Sequence, residues 1–271
     1  MAVNISAPFE RIYASDFLIM NDDFSDFVAC IPFALSAGES VTRRFEMDDR
    51  FFEVTPGATG LPTVRDRDVL LYCVSWLANA TFNGRDGDLS CHLRFAARDF
   101  MEFSKRGHGG AQYDGLIHAL DRLAGTKITT NLRSLEGVLP PDGIKECGES
   151  FNLIRYETEQ GSDGCISTIN IELPSFVYRC ATEWTQVCPI HPDYFSLTPL
   201  HRLVYMIVKG SCGTEKPRTV STSELHQLVS KQSRFRDFRK TAQETLSENS
   251  IPEYRIEADV PNDKMTFYRK P

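Results

Sequence analysis

The sequence predicts an α+β chain built from two tandem winged-helix (helix-turn-helix) domains, and three observations predict it. An order of helix, strand, helix, helix and strands can be read twice along the 271 residues. The last helix of the second unit is amphipathic and follows a short polar turn, and its outward side carries Arg, Lys and Gln. Positive charge is concentrated around that helix in a chain that is otherwise acidic. The expected boundaries are a segment 1–50 packing on or extending the first domain, a first winged helix over 51–183, and a second over 184–271. The join lies near Pro174–Pro192.

The elements follow in order. Asp66 stands as a helix cap, and a helix running to about Asn79 puts Val69, Leu70, Cys73, Val74 and Leu77 on one inward face. Ser90–Phe95 alternates as a short strand, and Ala96–Phe103 reads as a brief helix. A flexible turn follows over Ser104–Gly110. Ala111–Ala124 is then a helix with Leu116, Leu120 and Leu123 inward, stopped by Gly125. Lys127–Leu132, Phe151–Thr158 and Cys165–Leu173 are strand candidates around a Pro/Gly-rich stretch at 134–149.

In the second unit, Thr198-Pro199 starts a helix carrying Leu200, Leu203, Val204 and Ile207. Thr219-Val220 is a short strand, and Ser221 and Glu224 have capping-box spacing at the start of the next helix, whose apolar stripe is Leu225, Leu228 and Val229. The polar break Ser230-Lys231-Gln232-Ser233 opens a helix to about Leu246. Ile251-Pro252 ends it, and Tyr254–Val260 and Met265–Tyr268 flank Pro261-Asn262-Asp263-Lys264 as a hairpin.

Within the basic helix, Phe235, Phe238, Ala242 and Leu246 recur at steps of 3, 4 and 4 and predict the packed face. Arg236, Lys240 and Gln243 fall on the outward side, with Arg234 and Thr241 on the other flank. That chemistry suits a DNA major groove. The expected DNA-binding residues are therefore Lys231, Ser233, Arg234, Arg236, Arg239, Lys240 and Gln243, with Lys264 and Arg269 from the wing. The turn before the corresponding helix of the first unit offers a candidate second contact through Lys105, Arg106, His108 and Gln112.

The net charge of −7 hides the distribution. Residues 1–100 carry net −6, residues 101–200 net −5 and residues 201–271 net +4, while 201–240 alone carry 9 basic and 3 acidic residues. Screening over about 8 Å at physiological salt makes this local balance outweigh the total. The acidic first two hundred residues suit protein interaction better than extensive DNA contact. Phe9, Phe17, Phe24, Phe27 and Phe33 form an aromatic run there, read mostly as core.

Other function classes find little support. No apolar run approaches a membrane span and no secretory signal is present, so a cytoplasmic protein is expected. The 8 cysteines are scattered without a C-x-x-C pair, and Cys188 with His191 lacks a second ligand pair, so neither metal nor cofactor is expected. Phosphate-binding, dinucleotide, zinc-protease and serine-hydrolase motifs are absent, which predicts no enzymatic activity. The acidic clusters Asp22-Asp23, Asp48-Asp49 and Asp66-x-Asp68 keep a metal-dependent DNA-nicking enzyme as an alternative.

Several phrases together resemble the bacterial plasmid replication initiator protein A family. They are Thr63-Val-Arg-Asp-Arg-Asp-Val-Leu-Leu-Tyr, Gly109-Gly-Ala-Gln-Tyr, Ala119-Leu-Asp-Arg-Leu-Ala-Gly-Thr and Asp193-Tyr-Phe-Ser-Leu-Thr-Pro-Leu-His-Arg-Leu-Val-Tyr, with Phe235-Arg-Asp-Phe-Arg and Ile251-Pro-Glu-Tyr after them. The resemblance runs from about Phe51 to Tyr268. It implies an initiator that binds repeated sites in double-stranded origin DNA and recruits host replication proteins. It also implies two winged-helix domains, the second reading a major groove and the first serving DNA contact or homodimerisation. A transcriptional repressor on the same modules is the alternative, because both need the same reading head.

Overall fold

A computed structural model describes residues 2–6, 11–15, 32–47, 50–85, 87, 89–130, 149–162, 164–182, 187–211, 217–229, 234–248, 250–259 and 261–270. The architecture is mixed α/β. Among the described residues the strands are β1 (Val3–Asn4), β2 (Ile12–Ser15), β3 (Arg43–Met47), β4 (Arg50–Thr55), β5 (His92–Ala96), β6 (Lys127–Thr130) and β7 (Glu149–Asn152). They continue with β8 (Arg155–Gln160), β9 (Ile166–Glu172), β10 (Val187–Ile190), β11 (Arg218–Ser221), β12 (Tyr254–Asp259) and β13 (Lys264–Arg269). The helices are α1 (Arg67–Phe82), α2 (Ala97–Phe103), α3 (Gly110–Gly125), α4 (Ser175–Thr182), α5 (Pro199–Ser211), α6 (Thr222–Val229) and α7 (Phe235–Ser247). No helix among the described residues is long and apolar enough to cross a membrane.

The C-terminal unit runs α5-β11-α6-α7-β12-β13 and closes its strands into an antiparallel sheet of order β11-β13-β12. The N-terminal unit repeats that arrangement: α1-β5-α2-α3 precede β8 and β9, and β5-β9-β8 pair in the corresponding order, with β1 added alongside β5. A separate four-stranded sheet, β3-β4-β6-β7, is inserted into the first unit. Of the strand expected over Lys127–Leu132, Lys127–Thr130 belongs to this inserted sheet, where Ile128 pairs with Val54 on one side and Phe151 on the other, while 131–132 lie outside the described residues. The Phe151–Thr158 strand is in fact two, because the chain turns at the buried pair Leu153-Ile154 and leaves one sheet for another. Thus β3 ties part of the segment before residue 51 into the first unit.

Local chemistry explains the helix starts. The capping box forms as spaced: Ser221 N donates to Glu224 Oε2 at 2.6 Å, and Glu224 N donates to Ser221 Oγ at 3.0 Å. At α1 the cap differs from the expectation. Thr63 and Asp66 make the reciprocal pair, Thr63 N to Asp66 Oδ2 at 2.7 Å and Asp66 N to Thr63 Oγ1 at 3.3 Å, so Asp66 closes a box and does not cap the helix itself. The C-terminal end of α3 passes close to another backbone: a Cβ on Gly57 would lie 2.8 Å from Gly125 Cα, so glycine is required for that crossing.

Helix α1 is the centre of the molecule. Leu71, Tyr72 and Trp76 are buried together with the expected inward face, because strand β2 and helix α4 cover the opposite side. Tyr13 N donates to Ser75 Oγ at 2.9 Å, which fastens β2 to the helix. The two units share one core, running from Phe52, Leu93 and Leu120 through Tyr194 and Leu203 to Phe238 and Phe267. Phe33 is buried in it, whereas Phe9, Phe17, Phe24 and Phe27 lie outside the described residues.

Charge also crosses the seam. Arg202 Nη1 on α5 donates to both oxygens of Asp68 on α1, at 2.8 and 2.9 Å, and Arg106 Nη2 reaches Asp68 Oδ2 at 3.2 Å. Burial pushes the Asp68 carboxyl above the usual carboxylate range, against the pull of these two guanidiniums. Asp66 binds Arg122 at 2.7 and 3.0 Å. The Asp66-x-Asp68 cluster is therefore matched to arginines. Among the described residues no group of three His, Cys, Asp or Glu is placed to share a metal ion. Asp22-Asp23 and Asp48-Asp49 lie outside the described residues.

Candidate nucleic-acid interface

Helix α7 lays Phe238, Ala242 and Leu246 into the core. Arg234, Arg236, Lys240 and Thr241 are exposed, and Gln243 is half-buried at the edge of the packed face. Arg236 and Lys240 stand one turn apart, about 6 Å along the axis. Lys240 makes only a loose pair with Glu244 at 4.0 Å, both side chains largely in solvent, so the ammonium is free to swing to another anion. Asp237 and Glu244 are also exposed on this helix, so its outer side carries acids beside the expected basic contacts. Lys231 and Ser233 lie outside the described residues.

One expected member of the packed face departs from it. Phe235 is 39% exposed, with its ring edge-on to His226 at 5.4 Å between centroids. The periodicity is right for its direction, but as the first residue of α7 it lies beyond the edge of the core.

The hairpin β12–β13 stands beside α7, and Asp263 at its tip joins three elements. Asp263 adopts a left-handed φ of 55°, which the turn requires and which aspartate tolerates better than most side chains. Its carboxylate accepts from Thr222 Oγ1 at the start of α6 and pairs with Arg239 Nε of α7 at 3.0 Å. Arg239 therefore braces the wing against the helix. Nothing local in the sequence marks Asp263 for this role. Lys264 and Arg269 of the wing are exposed.

The base of the wing is fixed from α5. Glu253 has φ 63°, a conformation costing a non-glycine residue about 1–2 kcal/mol. Lys209 Nζ donates to both its oxygens at 2.7 and 2.9 Å, Tyr205 Oη donates to Oε2, and Lys270 N donates to its carbonyl at 2.7 Å. Burial pushes Tyr205 up, so it remains a protonated donor. Burial alone would also raise Glu253, but the hydrogen bonds from Lys209 and Tyr205 outweigh it and hold the carboxyl below the usual range. A carboxylate depressed by folding contributes stability above its unfolded pKa, about 4.3, and loses it as pH falls through the folded value. Glu253→Gln should therefore be less stable than the wild type at pH 7, and the difference should narrow as the pH is lowered toward 3. Urea unfolding at both pH values checks this, and an equal difference at both would refute it.

The matching region of the first unit is built differently. Helix α3 exposes Ala111, Gln112, Asp114 and His118, while its cation Arg122 is tied to Asp66. In the preceding turn, Lys105 has φ 54° and pairs with Asp193 at 3.5 Å. Arg106, expected as a phosphate contact, is largely covered instead: its side chain is 16% exposed, and Nη2 donates to Arg65 O at 2.7 Å and to Asp68. That cation holds the core and does not face solvent in a phosphate-binding turn. His108 is exposed, like Gln112. On the sheet, Arg94 is paired with Glu159 at 2.7 Å, and Glu157 is exposed. The two units thus share a topology, but α3 presents no exposed Lys or Arg where α7 presents Arg236 and Lys240.

This arrangement has solved counterparts. The chain superposes on domains 2 and 3 of RctB with a TM-score of 0.58 and 14% identity, covering 86% of this chain and 92% of that one. A second crystal structure of RctB domains 2–3 gives 0.55 and 14%, covering 89% and 95%. The fold is therefore that of the RctB domain pair. A "Putative replication protein" of Wigglesworthia glossinidia brevipalpis is 28% identical over 242 residues, 88% of this chain and 85% of that protein. The family model of replication initiator protein A matches residues 22–256, and the chain belongs to that family.

Proposed function

We propose that the chain is a plasmid-type replication initiator whose two units are both winged helices. The C-terminal unit reads origin repeats in double-stranded DNA. The N-terminal unit joins copies of the chain and host replication proteins, and the protein performs no chemistry of its own. The observation carrying this reading is the exposed Arg234, Arg236 and Lys240 on α7, directly beside a wing that Asp263 and Glu253 hold in place. Membership of the initiator family supports the replication role. The lack of an exposed Lys or Arg on α3 among the described residues, and the carboxylate-paired Lys105 and Arg106, support giving DNA reading to the C-terminal unit.

Binding should be strongly salt-dependent. Arg234, Arg236, Lys240, Lys264 and Arg269 are exposed, whereas Arg239 is engaged by Asp263. With Arg236 reserved for a base edge, the other four at about 0.9 per phosphate contact give a slope of log affinity against log salt of roughly −3 to −4. A slope near zero in a gel-shift titration would reduce the basic face to solvated surface.

The function itself is tested with a circular DNA whose only origin is this gene and its flanking sequence. We expect maintenance in cells, footprints over direct repeats, and loss of both with Arg236→Ala plus Lys240→Ala. Maintenance without the gene, with a footprint confined to one inverted repeat, would favour a repressor. Magnesium-dependent nicking of supercoiled DNA by the pure protein would establish an enzyme instead.

A further inference from the structure

We infer that Phe235 reads the C5-methyl group of a thymine at the position where α7 enters the major groove. This rests on the proposed DNA reading by the C-terminal unit and adds a specificity residue to it. Only Phe235 and Val41 are large hydrophobic side chains left exposed among the described residues. Phe235 is the first residue of α7, the end of a recognition helix that contacts base edges. Arg234 and Arg236 on either side are exposed.

The surroundings decide between possible partners. An apolar protein interface needs a contiguous patch, but here one aromatic ring stands between the exposed Arg234 and Arg236, with Asp237 exposed beyond them. A DNA groove accommodates that mixture. Arginines suit phosphates and guanine edges, while the thymine methyl is the one apolar group that base edges present in the major groove. The ring of His226, 5.4 Å away, packs edge-on against Phe235 and leaves the rest of its ring exposed. The expected preference is therefore a thymine next to the base read by Arg236.

The test uses the full-length chain and a duplex that the wild type enriches from a randomised library. Each thymine is replaced in turn by deoxyuridine, which keeps the pairing and removes only the methyl group. The wild type should lose about three- to fivefold in affinity at one position, the value of burying one methyl-sized group. Phe235→Ala should bind the unmodified duplex weaker by at least that factor and be indifferent to the methyl at that position. Phe235→Leu should retain part of the sensitivity. Melting curves establish that each variant is folded, and if the alanine variant is not, the wild-type scan and the leucine variant still decide. Wild-type indifference to every replacement, or full sensitivity retained in Phe235→Ala, would overturn the assignment. Failure of the wild type to enrich any sequence would instead overturn the DNA-reading proposal beneath it.

Discussion

Asp68→Ala is expected to destabilise the protein by about 3–5 kcal/mol, the effect of leaving buried cations without their counter-charge. The side chain of Arg202 is 4% exposed and that of Arg106 16%, so removing their shared carboxylate strands both away from water. Arg202 also donates to Phe195 O at 2.5 Å and Leu197 O at 3.1 Å, which keeps its guanidinium in the seam when the acid is gone. Arg202→Met should cost less, because Arg106 still neutralises Asp68. Since the pair joins α1 to α5, Asp68→Ala should also split unfolding into two transitions. Calorimetry and denaturant unfolding measure both effects. A loss below about 1 kcal/mol, or a larger loss for Arg202→Met, would contradict the arrangement.

Arg236→Ala should weaken binding to the cognate DNA about 5- to 150-fold, corresponding to about 1–3 kcal/mol for a bidentate arginine–guanine contact. It should also relax one base position and leave binding to unrelated DNA nearly unchanged. Arg236 is the better choice than Arg239, whose guanidinium is engaged by Asp263, and than Gln243, which is half-buried. Lys240→Ala should reduce affinity for all sequences together and make the salt slope shallower by about 1. Competitive gel shifts with cognate and scrambled duplexes separate the two effects. Full cognate affinity in a folded Arg236→Ala variant would remove this residue from the interface.

Much of the fold was legible because the relevant interactions are local. The Ser221–Glu224 box, the starts of α3 and α5 and the packed stripe Phe238, Ala242 and Leu246 all depend on residues within one or two turns. Strand partners were less legible. A period-2 pattern shows that Lys127–Thr130 is a strand but not which neighbour it joins, and the inserted sheet recruits β3 and β4 from far upstream. The same limit applied to the candidate site. Sequence placed Arg106 in a solvent-facing turn because its partner Asp68 is 38 residues away, and nothing near Arg239 signalled Asp263.

The sequence by itself determined that the chain carries a helix-rich unit twice, that the second unit holds the positive charge, and which side of α7 faces out. Composition, capping and helical periodicity are properties of short stretches and survive without knowledge of the rest of the chain. Only the tertiary structure decided which cations remain available. Arg106, Arg122, Arg202 and Arg239 are each matched to a carboxylate brought close by folding, while Arg234, Arg236 and Lys240 stay outside. The physical reason is that a guanidinium drawn out of water, as at Arg106, Arg122 and Arg202, is stabilised by a counter-charge within hydrogen-bonding distance, and that distance is set by the fold and not by separation along the chain.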